Sequence, residues 1–169
     1  MAIRKQHVLV LDDDPVRHDA WTRTWINVHY TRANTLDQFS EALWRQKYDT
    51  ICLDHDLNDH PNLYKSCKDI NNYTTYLTGM DAAKEMVLLP PKMFPQNVLI
   101  HSWNPGGAGR MIAALDPLRS KGVKIIRKPF NFEFYRDNAI KMKKDQNYQS
   151  IFWHELLPAV ERRSYYDHD

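Results

Sequence analysis

The sequence lacks the features of secreted and membrane-spanning proteins. It has two cysteines in 169 residues, Cys52 in an apolar run and Cys67 in a polar stretch. Two such cysteines do not make a disulfide framework, so we expect both to be reduced. No apolar segment approaches the ~20 residues that a membrane helix needs, and the N-terminal MAIRKQH has no signal-peptide core. These absences predict a soluble, cytoplasmic protein with no membrane partner.

The chain also lacks strong net charge, internal repeats and low-complexity segments. A formal net charge of +2 is too weak to argue for a polyanion-binding surface, so duplex nucleic acid is disfavoured as a ligand. A chain of this length is enough for one domain with a proper core and leaves little for a second. We therefore predict a single domain over residues 1–169.

Short apolar runs alternate with helix-like segments along the chain. Strand-like runs occur at residues 7–11, 28–32, 50–53, 97–100 and 123–126. Helical patterns, several of them opened by a capping residue, occur at residues 15–25, 35–46, 79–89, 104–119, 130–144 and 151–162. This alternation predicts an α/β fold: a doubly wound, five-stranded parallel sheet with helices on both faces.

Polar residues cluster where four of the predicted strands end. They are Asp12, Asp13, Asp14, Asp54, His55, Asp56, His101, Ser102 and Lys128. Ligands of such sheets bind beyond the carboxyl ends of the strands. Carboxylates packed closely repel one another unless a cation neutralises them, and hard oxygen ligands at that density suit Mg or Mn better than Zn. We predict a divalent metal site formed by Asp12, Asp13, Asp54 and Asp56, whereas Asp14 is interpreted as a helix cap.

The same edge carries groups suited to phosphate chemistry. His55 and His101 are candidates for proton transfer because an imidazole titrates near neutral pH, although one of them could instead orient a neighbouring group. Lys128 and Arg17 supply positive charge; the alternative for Arg17 is solvation or pairing with a nearby aspartate. The predicted substrate-binding residues at this edge are Arg17, Ser102, Asn104, Gly106 and Gly107. Asn104 and the two glycines also have structural interpretations, as a helix cap and a turn.

Two further segments carry predictions of their own. Residues 58–78 are a long polar insert, and such a loop is usually a lid, a binding loop or disorder. Its tyrosines suit stacking on a base, so we predict that the insert covers the site and that Tyr64 contacts a nucleotide-like ligand. Residues 145–169 form a helical C-terminal extension, which either docks on its own domain or pairs with a second subunit in a homodimer.

The order of these motifs resembles the bacterial response-regulator receiver domain. Asp12-Asp13, Asp54, Ser102 and Lys128-Pro129-Phe130 fall where that family carries its acidic pair, phosphoacceptor aspartate, hydroxyl residue and lysine. The resemblance implies a strand order of 2-1-3-4-5, phosphoryl transfer with magnesium, metal ligands at Asp13 and Asp54, and phosphoryl contacts from Ser102 and Lys128. The combination DDDPVR, LDHDL, HSWNPGGAGRM and KPF is similar to the divergent cyclic-phosphate processing receiver domain. That similarity implies a metal-dependent enzyme acting on cyclic phosphates.

Three functions follow from these interpretations. The first is a metal-dependent phosphoesterase that opens or hydrolyses a cyclic nucleotide or a nucleotide-derived cyclic phosphate, with Asp54, His55, His101 and Lys128 as catalytic residues. The second is a receiver that is phosphorylated on Asp54 and switches a partner. The third is a binding protein that sequesters a nucleotide unchanged. The two histidines and the insert favour the enzyme, because a receiver needs neither.

Overall fold

A computed structural model describes residues 4–24, 28–57, 67–68, 74–75 and 77–130 of the chain. The predictions for Tyr64, for helices in residues 130–144 and 151–162, and for a C-terminal extension over residues 145–169 fall almost entirely outside these described residues. None of the described helices is long and apolar enough to cross a membrane.

The described strands form one large and one small sheet. They are β1 (Gln6–Leu11), β2 (Val28–Ala33), β3 (Thr50–Leu53), β4 (Cys67–Lys68), β5 (Thr74–Thr75), β6 (Asn97–Ile100) and β7 (Lys124–Arg127). The five longer strands are parallel and ordered β2-β1-β3-β6-β7, which confirms the predicted doubly wound order. The two-residue strands β4 and β5 pair antiparallel inside the predicted insert.

Five α-helices of the described part of the chain connect and flank the strands of the large sheet. They are α1 (Pro15–Thr24), α2 (Leu36–Arg45), α3 (Gly79–Val87), α4 (Pro105–Ala114) and α5 (Asp116–Arg119), with a short 3-10 helix at Pro91–Met93. Side-chain caps begin α2, α3 and α4, as the sequence predicts: Thr35 accepts from the Gln38 amide, and Thr78 forms a capping box with Asp81. The cap of α1 is Asp14, whose Oδ1 accepts from the Val16 amide at 2.8 Å.

The prediction of one helix over residues 104–119 is wrong, because the segment divides into α4 and α5 at Leu115. Pro117 has no N–H to donate to the carbonyl of Ala113, so the regular α-helical ladder cannot continue through it. The apolar spacing runs across the break and hides it. The fifth strand also starts one residue later than predicted, at Lys124.

The strand residues alternate between two cores, one on each face of the sheet. Leu9, Ile51 and Val98 belong to the larger core beneath α2, α3 and α4. Their chain neighbours Val10 and Cys52 face the smaller core on the other side, together with Trp21, Leu99 and Phe130. All four residues of β3 and of β6 are buried, and each strand has three apolar residues after a buried polar first residue, Thr50 or Asn97. Apolar packing on both faces leaves the strand ends as the place for polar groups.

Candidate functional site

The register of the central strands lines up the residues that follow them. Leu11 of β1 is opposite Leu53 of β3, which in turn is opposite Ile100 of β6. The next residues extend the ladder: the Asp54 amide donates to Leu11 O and the His101 amide to Leu53 O, both at 3.0 Å. Asp12, Asp54 and His101 therefore leave three adjacent strands at the same level.

Asp12 is the buried centre of the acidic group. It is fully inaccessible to solvent, and its carboxylate accepts from Arg17 Nε at 2.7 Å and Arg17 Nη2 at 2.6 Å. His101 Nε2 lies 3.0 Å from Asp12 Oδ2, and the Asp14 amide donates to Oδ1 at 2.9 Å. Burial opposes ionisation, but the hydrogen bonds from His101 and Arg17 outweigh it and hold the pKa of Asp12 well below its usual range. Asp12 is thus a carboxylate.

The guanidinium of Arg17 also contacts three further aspartates at this edge of the sheet. Its Nη2 lies 2.9 Å from Asp54 Oδ2 and 3.3 Å from Asp13 Oδ1, and its Nη1 lies 3.5 Å from Asp14 Oδ2. Burial favours loss of the proton, but the hydrogen bonds and charges of Asp12 and Asp54 outweigh it and raise the pKa of Arg17. Of the two alternatives for Arg17, the structure shows the one in which it pairs with carboxylates.

Asp54 differs from Asp12 in its electrostatics. Its Oδ1 accepts from the His55 amide at 2.8 Å and its Oδ2 from Arg17. Burial raises the pKa of Asp54, and the negative charge of Asp12 adds to this, while His101 and Arg17 act in the opposite direction. Two acids of one group are therefore held with shifts of opposite sign, which is common where a carboxyl group binds a ligand or exchanges a proton.

Asp12, Asp54 and His101 form the group best placed to hold a cation among the described residues. One ligand atom from each lies within 4.8 Å of the others. Two carboxylates and an imidazole fit Mn²⁺ well and Mg²⁺ through the oxygens. His101 Nδ1 is buried without a hydrogen-bond partner among the described residues, which is a further sign of an incomplete donor set. Arg17 binds the same carboxylates, so a metal ion at this group would compete with the guanidinium for them.

A second histidine lies beside this group in its own hydrogen-bonded unit. His55 Nδ1 is 2.6 Å from Asp56 Oδ1, which also accepts from Asn104 Nδ2 at 3.2 Å. Because a carboxylate only accepts, Nδ1 carries the proton and Nε2 is left for proton transfer. Burial opposes ionisation of Asp56, but the hydrogen bonds from His55 and Asn104 together outweigh it and lower its pKa. The unit resembles the carboxylate-oriented imidazoles that serve as general acids and bases.

The glycines predicted to contact phosphate have different surroundings from each other. The Gly107 amide donates to Asn104 Oδ1 at 2.8 Å as part of the α4 cap. A Cβ at Gly107 would lie 2.5 Å from Cγ of His55, so this glycine is needed for the ring to pack against α4. Gly106 is exposed at the helix start.

A cleft of about 360 Å³ opens over the acidic group. Its lining residues are Asp13, Asp14, Arg17, Asp54, Asp56, Ser102 and Trp103. Ser102 is buried, and its Oγ accepts from the Asn104 amide at 3.1 Å. Lys128 lies at the same edge, where its amide donates to Ile100 O at 2.9 Å, but it does not line the cleft. Of the predicted site residues, Asp13, Arg17, Asp54, Asp56 and Ser102 line the cleft, and Tyr64 is outside the described part of the chain.

Comparison with known proteins identifies the family. A family model described as "Cyclic-phosphate processing Receiver domain" matches residues 7–117. The chain belongs to this family. No curated protein matches the sequence.

Solved receiver structures have the same fold as this cyclic-phosphate processing receiver domain. The CheY-like receiver domain protein from Methanospirillum hungatei JF-1 is 15% identical, with 95% of this chain and 98% of that chain covered and a TM-score of 0.51. The chemotaxis response regulator CheY4 of Vibrio cholerae is 15% identical, with 83% and 97% covered and a TM-score of 0.50. At these identities the likeness shows the fold alone.

Sequence reasoning missed a buried support for Asp12 in this receiver domain. His18 is fully buried, and burial lowers its pKa despite the nearby Asp12. In the neutral ring Nε2 donates to Asp12 O at 2.7 Å, and Nδ1 accepts from the Tyr30 hydroxyl at 2.6 Å. Nothing in the local sequence distinguishes His18 from an exposed helical histidine, because its partners come from two other elements.

Two more residues that shape the site were not singled out from the sequence. Gly79 begins α3, and its amide donates to His55 O at 2.8 Å. A Cβ there would lie 1.9 Å from Asp54 O, so only glycine fits. Trp21 packs edge-on against the His101 ring, with centroids 5.1 Å apart.

Proposed function

We propose that the protein is a metal-dependent phosphoesterase that hydrolyses a cyclic phosphodiester of the nucleotide class. The observation that carries the proposal is that both histidines are paired with carboxylates beside one acidic cleft. His55 Nδ1 lies 2.6 Å from Asp56, and His101 Nε2 lies 3.0 Å from Asp12. Phosphoryl transfer to a receiver aspartate needs no imidazole, whereas hydrolysis needs groups that accept and donate protons.

The metal ligands in this proposal are Asp12, Asp54 and His101, with Asp13 and Asp56 close by in the cleft lining. A bound Mg²⁺ or Mn²⁺ supplies Lewis-acid polarisation of the phosphate and lowers the pKa of water. Arg17 and the Ser102 hydroxyl face the same cleft and can donate to the non-bridging oxygens. Lys128 contributes positive charge at the edge of the sheet.

The reaction is a water addition across one ring bond of the cyclic phosphate. The oxygen of water bonds to phosphorus, the P–O bond to one ring alkoxide breaks, and that alkoxide takes up a proton to give a phosphomonoester. His55 accepts the proton from water at Nε2 and returns one to the leaving alkoxide, while Asp56 stabilises the imidazolium. His101 acts with Asp12 in the metal-binding group rather than as the proton carrier.

A phosphoryl-accepting receiver is the second candidate, because Asp54 follows β3 in a receiver fold. One observation argues against it. Both oxygens of Asp54 already accept hydrogen bonds, from the His55 amide and from Arg17, and these bonds lower the nucleophilicity of the carboxylate.

The test is product analysis with a panel of 2′,3′-cyclic and 3′,5′-cyclic mononucleotides and cyclic dinucleotides, with Mn²⁺, Mg²⁺ or EDTA. We expect turnover that EDTA stops and that Asp54→Asn abolishes, whereas Asp116→Asn at an exposed site leaves it unchanged. His55→Ala should lower kcat and flatten the pH profile without changing Mn²⁺ affinity. His101→Ala should weaken Mn²⁺ binding, and exposed His29→Ala is its control.

Two results would contradict the proposal. The first is an absence of turnover with every member of the panel in the presence of metal. The second is a hydroxylamine-labile phosphoryl group on Asp54 after incubation with a small phosphodonor, which would favour the receiver.

A further inference from the structure

Trp103 is the one apolar residue in the lining of the acidic cleft. The other six residues of the lining are aspartates, an arginine and a serine. The described residues include four exposed large hydrophobic side chains, Val16, Trp44, Leu88 and Trp103, and of these only Trp103 lines the cleft. Its side chain is 67% exposed, whereas Trp21 in the core is fully buried. An exposed indole beside a polar cleft favours a ligand that has both an apolar surface and a polar surface.

The backbone around Trp103 is held on both sides. The His101 amide donates a hydrogen bond to Leu53 O at 3.0 Å, and the Asn104 amide donates to Ser102 Oγ at 3.1 Å. Asn104 then caps α4 through the Gly107 amide at 2.8 Å. The indole therefore projects from a short, hydrogen-bonded turn rather than from a long loop, so its point of attachment beside the cleft is fixed before a ligand arrives.

Trp103 follows Ser102 directly, and both line the cleft. Successive Cα atoms are about 3.8 Å apart, so a ligand whose phosphate reaches Ser102 and Arg17 has its next few atoms beside the indole. In a nucleotide those atoms are the sugar and the base. Aromatic stacking accepts any base, because every base presents a π-face, and an indole is the largest platform that a side chain offers.

From this placement we infer that Trp103 is the base-stacking platform of the cleft and makes the protein select cyclic phosphates that carry a nucleobase. The inference rests on the proposed function, since it assigns the phosphate end of the ligand to Arg17 and Ser102. It goes beyond that function by naming the group that distinguishes a nucleotide from a sugar phosphate.

The test is equilibrium binding by calorimetry of adenosine 5′-monophosphate and ribose 5-phosphate, which differ only in the base. The proteins are the full chain, Trp103→Ala, Trp103→Phe and the control Trp44→Ala. Trp44 is also partly exposed, but it is hydrogen-bonded to Glu85 at 2.9 Å and does not line the cleft. All four proteins are compared by circular dichroism so that a folding defect is recognised.

We expect the unaltered chain to bind adenosine 5′-monophosphate more tightly than ribose 5-phosphate, by roughly 5- to 150-fold. This range corresponds to the free energy of stacking one base on an aromatic side chain in other proteins. Trp103→Ala should remove this preference and leave ribose 5-phosphate binding unchanged, Trp103→Phe should keep part of it, and Trp44→Ala should keep all of it. Equal affinity of the unaltered chain for the two probes, binding of neither, or an equal loss for both in Trp103→Ala would overturn the inference.

Turnover of 2′,3′-cyclic adenosine monophosphate separates this inference from the proposed function. A nucleotide preference that depends on Trp103, found without any turnover, keeps the base platform and refutes the phosphoesterase. Turnover without a base preference does the reverse.

Discussion

Replacing Arg17 with methionine should make the protein bind Mn²⁺ more tightly and fold less stably in the absence of metal. Arg17 contacts Asp12, Asp13 and Asp54 through a single nitrogen, so it occupies the centre of the acidic group. A metal ion that binds the same carboxylates must first displace it. Methionine is about as long as the apolar stem of arginine and has no charge, so it removes the competitor while keeping much of the packing of that stem.

The magnitude follows from the bonds that must be broken. A hydrogen bond to a charged group contributes about 1.5–3 kcal/mol, and displacing Arg17 breaks such bonds to Asp12 and Asp54. The side chain is 21% exposed, so water replaces part of the loss. The net cost of displacing Arg17 is then the free energy of about one such hydrogen bond. Removing this cost corresponds to a gain in Mn²⁺ affinity of about 10- to 150-fold. Without metal, Asp12 is left buried with its charge poorly compensated, and the variant should lose about 3–5 kcal/mol of stability.

Calorimetry with Mn²⁺ measures the affinity, and urea unfolding with EDTA or with saturating Mn²⁺ measures the stability. The control is Arg45→Met, because Arg45 pairs with Glu41 at 2.6 Å where both side chains are exposed. Such a surface pair contributes about 0–1 kcal/mol, so neither quantity should change much. Equal or weaker Mn²⁺ binding by a folded Arg17→Met variant would refute the competition, and no Mn²⁺ binding by either protein would refute the metal site itself.

Two further predictions concern the packing around the site. Gly79→Ala should destabilise the fold by about 1–3 kcal/mol, because its Cβ would lie 1.9 Å from Asp54 O. Gly109→Ala, which meets nothing within 4 Å inside α4, should instead stabilise it by about 0.5–1 kcal/mol; urea unfolding that gives the same sign for both would contradict this packing argument. Cys52 is fully buried, and burial raises its pKa, so in a Cys67→Ser variant a thiol reagent should label it only in proportion to the unfolded fraction across a urea series. Rapid labelling of the native protein would show that the smaller core opens.

The fold was predictable because local and global signals agree along most of the chain. The predicted bounds of the strands at residues 50–53 and 97–100 match β3 and β6, since each contains a run of three apolar residues that ends at a polar residue, Asp54 or His101. The division at Leu115 was missed because the apolar spacing continues through it, although Pro117 carried the signal. The spacing of apolar residues indicates which face of a helix is buried, but it does not reveal the loss of one backbone N–H group.

The candidate site was predictable at the level of which residues meet, but not of how they pair. The rule for parallel sheets brings Asp12, Asp54 and His101 to one edge from positions far apart in the sequence. It says nothing about Arg17, whose long side chain can reach solvent or several acids, so its contact with Asp54 emerged only from the structure. The role of Gly79 was not predictable either, because its spatial neighbour Asp54 follows β3 and is distant in the sequence.

The hydrogen bond between the Gly79 amide and His55 O has a consequence for how this protein can diversify. The Gly79 amide, just after the predicted insert, bonds to His55 O, just before it, so the two ends of the insert lie close together at the end of β3. The entropic cost of closing a loop of this kind grows only with the logarithm of its length. Segments of other lengths and compositions can therefore be exchanged at this position while the sheet and its acids stay in place.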